Sequence, residues 1–279
     1  MLALETRLAA RLGPYLPAPI AEFCIFVLKQ AWACLFGATL LALMIATRLV
    51  WSDDWIIARY DALLIMAVGL QVAFLWLRME SWAEMRVIAL FHLTGTVMEI
   101  FKVHAGSWAY PDPSIIRIMD VPLYSGFMYA AVGSYMARVI RLFDMDFSPF
   151  PAASIHFALA LVIYLNFFGH HYTFDLRNLL FLATLLIYAR TRIWYRIGAR
   201  WHWMPLPLAA FFASFFLWLA ENIGTLTGTW LYAGQNPFDA VSFAKMGSWY
   251  LLLYVAFATV TLVVPITRSR AAPEHRRQR

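Results

Sequence analysis

Residues 84–110, EMRVIALFHLTGTVMEIFKVHAGSWAY, join a long apolar run to a polar ending that occurs again later in the chain. The second ending, ENIGTLTGTWLY, occupies residues 221–232, so the two copies lie 122 residues apart (221 − 99). Each copy has a glutamate followed after seven, nine and eleven residues by glycine, tryptophan and tyrosine: Glu99, Gly106, Trp108 and Tyr110, then Glu221, Gly228, Trp230 and Tyr232. A pattern repeated at fixed offsets indicates an internal repeat.

The composition is that of an integral membrane protein. Hydrophobic residues make up 62% of the chain and charged residues 14%, with a mean hydropathy of +0.66, whereas soluble domains carry about 25% charge. The net charge of +6 comes from basic residues in short segments between apolar runs. Such residues set membrane topology, so the charge does not indicate nucleic-acid binding. The lipid bilayer is the expected partner.

Eight apolar segments are long enough to span a bilayer, which requires roughly 20 residues of helix. They are residues 24–50, 61–78, 84–104, 121–143, 152–170, 176–194, 205–226 and 244–266. The sequence therefore predicts an all-α, polytopic membrane helix bundle of about eight transmembrane helices. Residues 1–267 are predicted to form its single integral-membrane domain, and residues 268–279 a disordered, basic cytoplasmic tail.

Basic residues predict the orientation of the bundle. Arginines crowd the connection between spans six and seven, at residues 190–200, and the C-terminus. Because positive residues favour the cytoplasm, both termini are predicted to be cytoplasmic. The two motif copies then share the opposite face. That arrangement predicts a four-plus-four parallel repeat, with halves at about 20–145 and 150–267.

The motif glutamates are the first catalytic candidates. His92, Thr96 and Glu99 share one helix face. Lipid offers no hydrogen-bond partners to such a polar stripe, so it should face other helices or a water-filled cavity. Lys102 lies one turn beyond Glu99 and is a candidate ion-pair partner. Glu221, in span seven, is the second carboxylate. The candidate catalytic residues are Glu99, Glu221, Lys102 and His92. The alternative is a buried contact that only fixes helix packing.

A third polar cluster, NFFGHHYTFDLRN, covers residues 166–178. His170, His171 and Asp175 are candidate ligands of a divalent metal, since imidazole and carboxylate suit zinc, iron or manganese. In the alternative interpretation, Asp175 caps the start of span six. Arg177 is a candidate for binding a phosphate or carboxylate of a substrate, or for pairing with Asp175.

The motif aromatics, Trp108, Tyr110, Trp230 and Tyr232, have two interpretations. Tryptophan and tyrosine collect at membrane interfaces, which explains their presence near span ends. Their identical spacing favours a ring-lined, substrate-binding pocket.

Three strings carry a family resemblance: FKVHAGSWAYP, NFFGHHYTFDLRNLL and ENIGTLTGTWLY. In these strings, and from about span two to its end, the chain resembles a bacterial integral-membrane family known as domain of unknown function 817. The resemblance implies a multi-pass protein of the bacterial inner membrane and assigns no activity. A more distant likeness, limited to residues 99–110 and 221–232, is to carotenoid-processing membrane proteins of the lycopene cyclase type. The chain lacks the paired acids of their Pro-x-Glu-Glu string at residues 122–125.

The sequence leaves the function, and whether the protein is an enzyme at all, open. One hypothesis is a membrane enzyme acting on a lipid or isoprenoid, with Glu99 and Glu221 as acid/base or metal-binding groups. Another is a small-solute or proton-coupled transporter that uses the same carboxylates as a relay. A transporter of this kind should have helices broken near mid-membrane in both halves. The corresponding spans show no Gly or Pro interruption there apart from Gly95 and Gly224. A non-catalytic structural protein is the third alternative.

Overall fold

The computed structural model describes residues 16–52, 54–236 and 239–268. Within these ranges the chain forms eight helices, which confirms the predicted all-α bundle. They are α1 (Ala18–Val50), α2 (Arg59–Trp76), α3 (Trp82–His104), α4 (Ser125–Leu142), α5 (Ala153–Gly169), α6 (Arg177–Tyr188), α7 (Leu206–Leu226) and α8 (Phe243–Val263). The N-terminal fifteen residues, and the predicted tail beyond Arg268, lie outside the described residues.

Five helices, α1, α2, α3, α7 and α8, are long and apolar enough to cross a membrane. Helices α5 and α6 are apolar but shorter, with 17 and 12 residues, and α4 has arginines in its last turns. The outer surface of the bundle exposes large apolar side chains, such as Leu49, Trp76 and Leu262, as a lipid-facing surface does. These helices are compatible with a membrane protein, and passage of the other three helices through the bilayer stays a prediction.

The bundle has two ends that differ in structure. We call one the motif end, because α3 and α7 end there in the repeated motif. The other is the sheet end, where a four-stranded sheet lies. Successive helices run in alternating directions between them. Lys29 of α1 donates to the carbonyl of Arg196 at the sheet end (2.9 Å), and Arg59 at the start of α2 donates to the carbonyl of Met44 towards the motif end (3.3 Å).

The sheet at one end was not predicted. Its strands, in the order β6-β5-β4-β8, are β4 (Asp146–Ser148), β5 (Arg192–Ile197), β6 (Arg200–Pro205) and β8 (Thr267–Arg268). Strand β4 pairs antiparallel with β5 and parallel with β8, and β5 pairs antiparallel with β6. The predicted sixth span, 176–194, is therefore too long, because α6 ends at Tyr188. The string RIWYRI is rich in isoleucine and aromatic residues, which favour strands, and Gly198 (φ +57°) turns the hairpin.

Four two-residue strands lie at the motif end. Strands β1 (Trp108–Ala109), β2 (Arg117–Ile118) and β3 (Val121–Pro122) follow α3, and β7 (Leu231–Tyr232) follows α7. Strands β2 and β3 form a small antiparallel pair. Strands β1 and β7 pair with each other, and their register is central to the candidate site.

Helices α3 and α4 approach very closely because glycines line their contact. A Cβ atom at Gly126 would lie 2.5 Å from His92 Nδ1 and from Thr96 Oγ1, and one at Gly95 would lie 2.7 Å from the Tyr129 ring. Small residues permit such close approach of membrane helices. The polar stripe of α3 therefore faces α4.

Two ion pairs lie at the sheet end of α3 and α4. Glu80, between α2 and α3, pairs with Arg138 of α4, and neither side chain is exposed. Glu84 pairs with Arg141 (2.9 Å) and forms a capping box with Ser81 at the start of α3. These pairs fix the ends of α3 and α4 that lie opposite the motif.

Candidate functional site

The two motif copies fold into the same turn. Gly106 and Gly228 adopt φ values of +67° and +61°, in the left-handed region that favours glycine at a helix C-terminus. The residue after each glycine donates its backbone N–H to the carbonyl five residues back, at 2.9 Å in both copies. The equal distance from glutamate to glycine in the two copies is therefore explained by the turn, which requires a residue with positive φ at that position.

After these turns the two copies pair with each other. Strands β1 and β7 are antiparallel, with Trp108 opposite Tyr232 and Ala109 opposite Leu231. Ala109 and Leu231 occupy equivalent positions of the repeat, since they differ by the same 122 residues (231 − 109). A local two-fold axis therefore passes between them. The correspondence covers residues 99–110 and 221–232, and the two motifs meet at one end of the bundle.

Glu99 accepts three hydrogen bonds from aromatic side chains. Trp108 Nε1 donates to Glu99 Oε2 at 2.6 Å, and Tyr110 OH donates to the same oxygen at 2.7 Å. Tyr129 OH, from α4, donates to Oε1 at 2.5 Å. Glu99 is 2% exposed, so its own motif supplies most of the polar partners that a buried carboxylate requires.

Glu221 is held in a related way. Tyr232 OH, equivalent to Tyr110 in the first motif, donates to Glu221 Oε2 at 2.5 Å. Trp249 Nε1, from α8, donates to Oε1 at 3.0 Å. Glu99 and Glu221 also interact electrostatically. The structure thus brings both predicted carboxylates into one aromatic cluster.

The hydroxyl groups of the two motif tyrosines stay protonated. Tyr110 and Tyr232 follow the ends of α3 and α7, and the pKa of each hydroxyl is well above its usual range. Burial is the main cause, and the negative charges of Glu99 and Glu221 add to it. Both hydroxyls therefore stay protonated and keep donating to the carboxylates at neutral pH.

Both motif tryptophans interact with their own motif glutamates. Trp108 donates to Glu99, and Trp230 contributes a side-chain hydrogen bond to Glu221. The ring of Trp230 also packs on Gly224. A Cβ atom at Gly224 would lie 1.9 Å from that ring. Gly224 occupies the position equivalent to Lys102, so the ring explains why the second copy carries no lysine there.

A buried arginine ties the two motif copies together from α2. Arg59 is 5% exposed and donates to Asp112, just after the first motif (2.8 Å), and to Thr229 Oγ1, within the second (3.0 Å). Tyr60 OH donates to the carbonyl of Thr229 (2.7 Å). These contacts hold the paired strands against the start of α2.

An apolar cavity of about 280 Å³ lies beside the carboxylates, between α3, α4, α5 and α8. Tyr129 and Trp249, which donate to Glu99 and Glu221, are among its lining residues. Leu161 and Leu262 also line it and are 57% and 68% exposed, so the cavity opens on the outer side of the bundle. An apolar molecule can enter sideways and reach the aromatic cluster.

Lys102 does not pair with Glu99, contrary to the sequence interpretation. Its Nζ donates to the carbonyl of Phe167 at 2.7 Å and lies 2.9 Å from His171 Nε2. The last turn of α5 offers free carbonyls, whereas Glu99 is already saturated by aromatic donors. Lys102 therefore joins α3 to α5.

His92, also predicted as catalytic, is not bonded to the carboxylates. Among the described residues its buried Nδ1 has no hydrogen-bond partner, and its ring lies 4.5 Å from that of Phe127. The close approach of α4 at Gly126 places this ring in the α3–α4 contact. The structure therefore gives His92 a packing position.

The three predicted metal ligands do not converge. The rings of His170 and His171 lie 4.1 Å apart, but Asp175 is engaged by Arg177, with Nη2 and Oδ2 2.6 Å apart. In the described part of the chain, no three His, Cys, Asp or Glu side chains come together to hold a metal ion. Asp175 also accepts the backbone N–H of Arg177 (3.0 Å), so it orders the start of α6. Hydrogen bonds from Arg177 lower the pKa of Asp175 to about 2.

Sequence reasoning did not assign Tyr129, Trp249 or Lys245 to the site. Tyr129 and Trp249 come from α4 and α8, the helices that follow each motif. Lys245 Nζ lies over the ring of Tyr232, 3.9 Å from its centroid, and 5.8 Å from that of Trp108. The similar strings SGFMY and MGSWY at residues 125–129 and 246–250 were the signal that could have found the first two.

Comparison with known proteins gives a family without an assigned activity. The family model described as protein of unknown function (DUF817) matches residues 22–257. The uncharacterized protein YoaT of Bacillus subtilis (strain 168) is 38% identical over 242 residues, which cover 86% of this chain and 91% of that protein. No solved structure matches the chain, and neither match supports the likeness to lycopene cyclase-type proteins. Because the family model covers most of its length, the chain belongs to the DUF817 family.

Proposed function

We propose that the protein is a membrane enzyme that binds the apolar chain of a lipid or isoprenoid in the lateral cavity and transfers protons through Glu99, with Glu221 acting on Glu99 through its charge. One observation carries the proposal: the cavity wall contains the side chains that donate to both carboxylates. An apolar cavity with a few converging polar groups is a typical small-molecule site. Intramembrane carboxylates are functional candidates by default.

Tyr129 is the proposed link between substrate and carboxylate. Its side chain lines the cavity, and its hydroxyl donates to Glu99 Oε1. A substrate group in the cavity can give a proton to the Tyr129 oxygen as Tyr129 passes its own proton to Glu99, and the reverse transfer makes Glu99 the acid. Trp249 cannot relay a proton in this way, because an indole N–H is a donor only. Glu221 is therefore proposed to act on Glu99 through its charge.

The proposed orientation places the motif end on the non-cytoplasmic side of a bacterial inner membrane. Its support is the distribution of arginines, which concentrate at the sheet end, in β5, β6 and the last turns of α4. The proposed four-plus-four parallel repeat is supported by the two equal motif turns and by their symmetric strand pairing.

A transporter is the weaker alternative. Transporter sites are commonly built from helices that break near mid-membrane. Helices α3 and α7 instead run without interruption past Gly95 and Gly224. The continuous helices favour the enzyme hypothesis.

Solvent isotope exchange tests the proposal. Purified protein is incubated with lipids extracted from its source cells in D2O, and the lipids are analysed by mass spectrometry. We expect deuterium to enter one lipid species. Glu99→Gln is expected to reduce the rate by about 10²–10⁴-fold, the usual contribution of a positioned acid/base. Tyr129→Phe is expected to reduce it comparably, because it breaks the relay.

Tyr164→Phe is the matched control. Tyr164 also lines the cavity but donates no hydrogen bond to either carboxylate among the described residues, so its variant should lose far less of the rate than Tyr129→Phe. Absence of isotope incorporation with the wild-type protein, or an unchanged rate in Glu99→Gln, contradicts the enzymatic function.

A further inference from the structure

Four basic residues gather around the motif end beside the carboxylate cluster: Lys102, His171, Arg177 and Lys245. Lys102 experiences the positive charges of Lys245 and Arg177, and Lys245 experiences that of Arg177. His171 experiences those of Lys102 and Lys245. The four groups therefore share one region, although they come from α3, α6, α8 and the α5–α6 connection.

This cluster lies one helical turn beyond the cavity. Met98, Tyr164 and Trp249 line the cavity on α3, α5 and α8. Lys102 follows Met98 by four residues, and Lys245 precedes Trp249 by four, so each lysine is on the same helix face as a cavity residue and nearer the motif end. The carbonyl that binds Lys102, on Phe167, likewise follows Tyr164 by three residues. The cavity thus leads towards the basic cluster.

Positive charge in the cluster is incompletely neutralised. In the described ranges, Lys245 forms no direct ion pair or hydrogen bond and lies on the Tyr232 and Trp108 rings, although it also interacts electrostatically with Glu221. Lys102 has two neutral acceptors, the Phe167 carbonyl and His171. Of the four, Arg177 forms a direct ion pair with a carboxylate of the described residues, Asp175. Ammonium groups that form no direct ion pair in a partly dry site bind anions favourably.

His171 is arranged as the contact between this cluster and the surface. It is exposed, and its Nε2 lies 2.9 Å from Lys102 Nζ and 3.3 Å from Ser107 Oγ. Partial desolvation of the ring and the charges of Lys102, His170 and Lys245 hold the pKa of His171 below its usual range. The imidazole is therefore neutral at pH 7 and can accept from Lys102, which it covers.

We propose that Lys102, His171, Arg177 and Lys245 bind a phosphate or diphosphate group, as the anionic head of the amphiphile whose chain occupies the lateral cavity. Assigning the anion to a lipid rests on the proposed function. The anion site itself rests on the basic cluster alone. A head group held there would place the first carbons of the chain beside Tyr129 and Trp249.

Calorimetric titration of the full chain in phosphatidylcholine nanodiscs tests the proposal, with decyl phosphate, decanol and inorganic phosphate as probes. We expect decyl phosphate to bind at least tenfold more tightly than decanol. Lys245→Gln and Lys102→Gln should each weaken decyl phosphate binding about tenfold, the usual loss for a charge-assisted contact, and leave decanol binding unchanged. Arg200→Gln, which removes an exposed charge at the sheet end, controls for nonspecific attraction to the disc and should change nothing.

The outcomes separate this inference from the proposed function. Equal affinity for decyl phosphate and decanol overturns the anion site and leaves the proposed binding of an apolar chain in the cavity unaffected. Inorganic phosphate binding as tightly as decyl phosphate, with the same dependence on Lys245, supports the anion site and contradicts its assignment to a lipid. Absence of binding by all three probes overturns both. Lys245→Gln decides the result if Lys102→Gln, which alters a buried residue, fails to fold.

Discussion

Replacing Arg138 with methionine is expected to lower the free energy of unfolding by about 3–5 kcal/mol, the usual cost of breaking a buried ion pair by removing one partner. Arg138 and Glu80 have fully buried side chains. Arg138 also donates to the carbonyl of Trp32 (3.3 Å). The substitution leaves the buried Glu80 carboxylate without the Arg138 charge, although Gln71 and Ser134 still donate hydrogen bonds to it. Equilibrium unfolding in detergent micelles measures the loss.

Arg141 provides the matched control for this prediction. It lies one turn from Arg138 on α4 and pairs with Glu84, but its side chain is 45% exposed. Glu84 is 3% exposed but also accepts the backbone N–H of Ser81. Because an ion pair that water reaches contributes less than a fully buried one, Arg141→Met should cost less than Arg138→Met. The double variant Glu80→Leu with Arg138→Met should recover much of the lost stability. Equal losses in the two arginine variants would show that the Glu80–Arg138 pair is not buried as described.

Gly224→Ala is expected to destabilise the protein by about 3 kcal/mol, at the upper end of the range for overpacking a filled interior. The new Cβ atom would lie 1.9 Å from the Trp230 ring. Because Trp230 is 8% exposed, its ring has little space to move into. Displacing it would also disturb the adjoining strand β7, so the β1–β7 pairing should weaken with it. Thermal unfolding in detergent gives the shift in midpoint.

Gly69→Ala is the control for this glycine. Gly69 lies inside α2, and no atom would come within 4 Å of its added Cβ. Alanine is the better helix former by about 1 kcal/mol, so this variant should be as stable as wild type or slightly more so. A Gly224→Ala protein with the stability of Gly69→Ala would place the Trp230 ring elsewhere.

Local sequence patterns were sufficient for the helices and for the existence of a doubled motif. Apolar runs of the right length gave eight helices close to the observed bounds, and the fixed offsets from Glu99 and Glu221 follow from the two glycine turns. The pattern failed at residues 192–197, since an apolar and aromatic run continues the hydrophobic signal of α6 although it forms a strand. Hydropathy alone cannot distinguish these two structures.

The partners of the site residues depended on tertiary structure. Tyr129 and Trp249 reach the carboxylates from helices that follow the motifs, and no helical spacing links them to Glu99 or Glu221. Lys102 was assigned to Glu99 because the two share a helix face, but it binds α5 instead. Short-range spacing identifies neighbours on one helix and gives no information about the helix packed against it.

Pairing of the two motif copies is the central claim, and a disulfide between Ala109→Cys and Leu231→Cys tests it most directly. Cys24 and Cys34 are first replaced by serine. Directly opposed residues of an antiparallel hydrogen-bonded pair have Cα atoms about 5.5 Å apart, within the range of a disulfide. We expect rapid crosslinking of this pair in membranes on mild oxidation, and much slower crosslinking of Ala109→Cys with Ala233→Cys, two residues out of register. Absence of the 109–231 crosslink, or equal rates for the two pairs, would contradict the pairing.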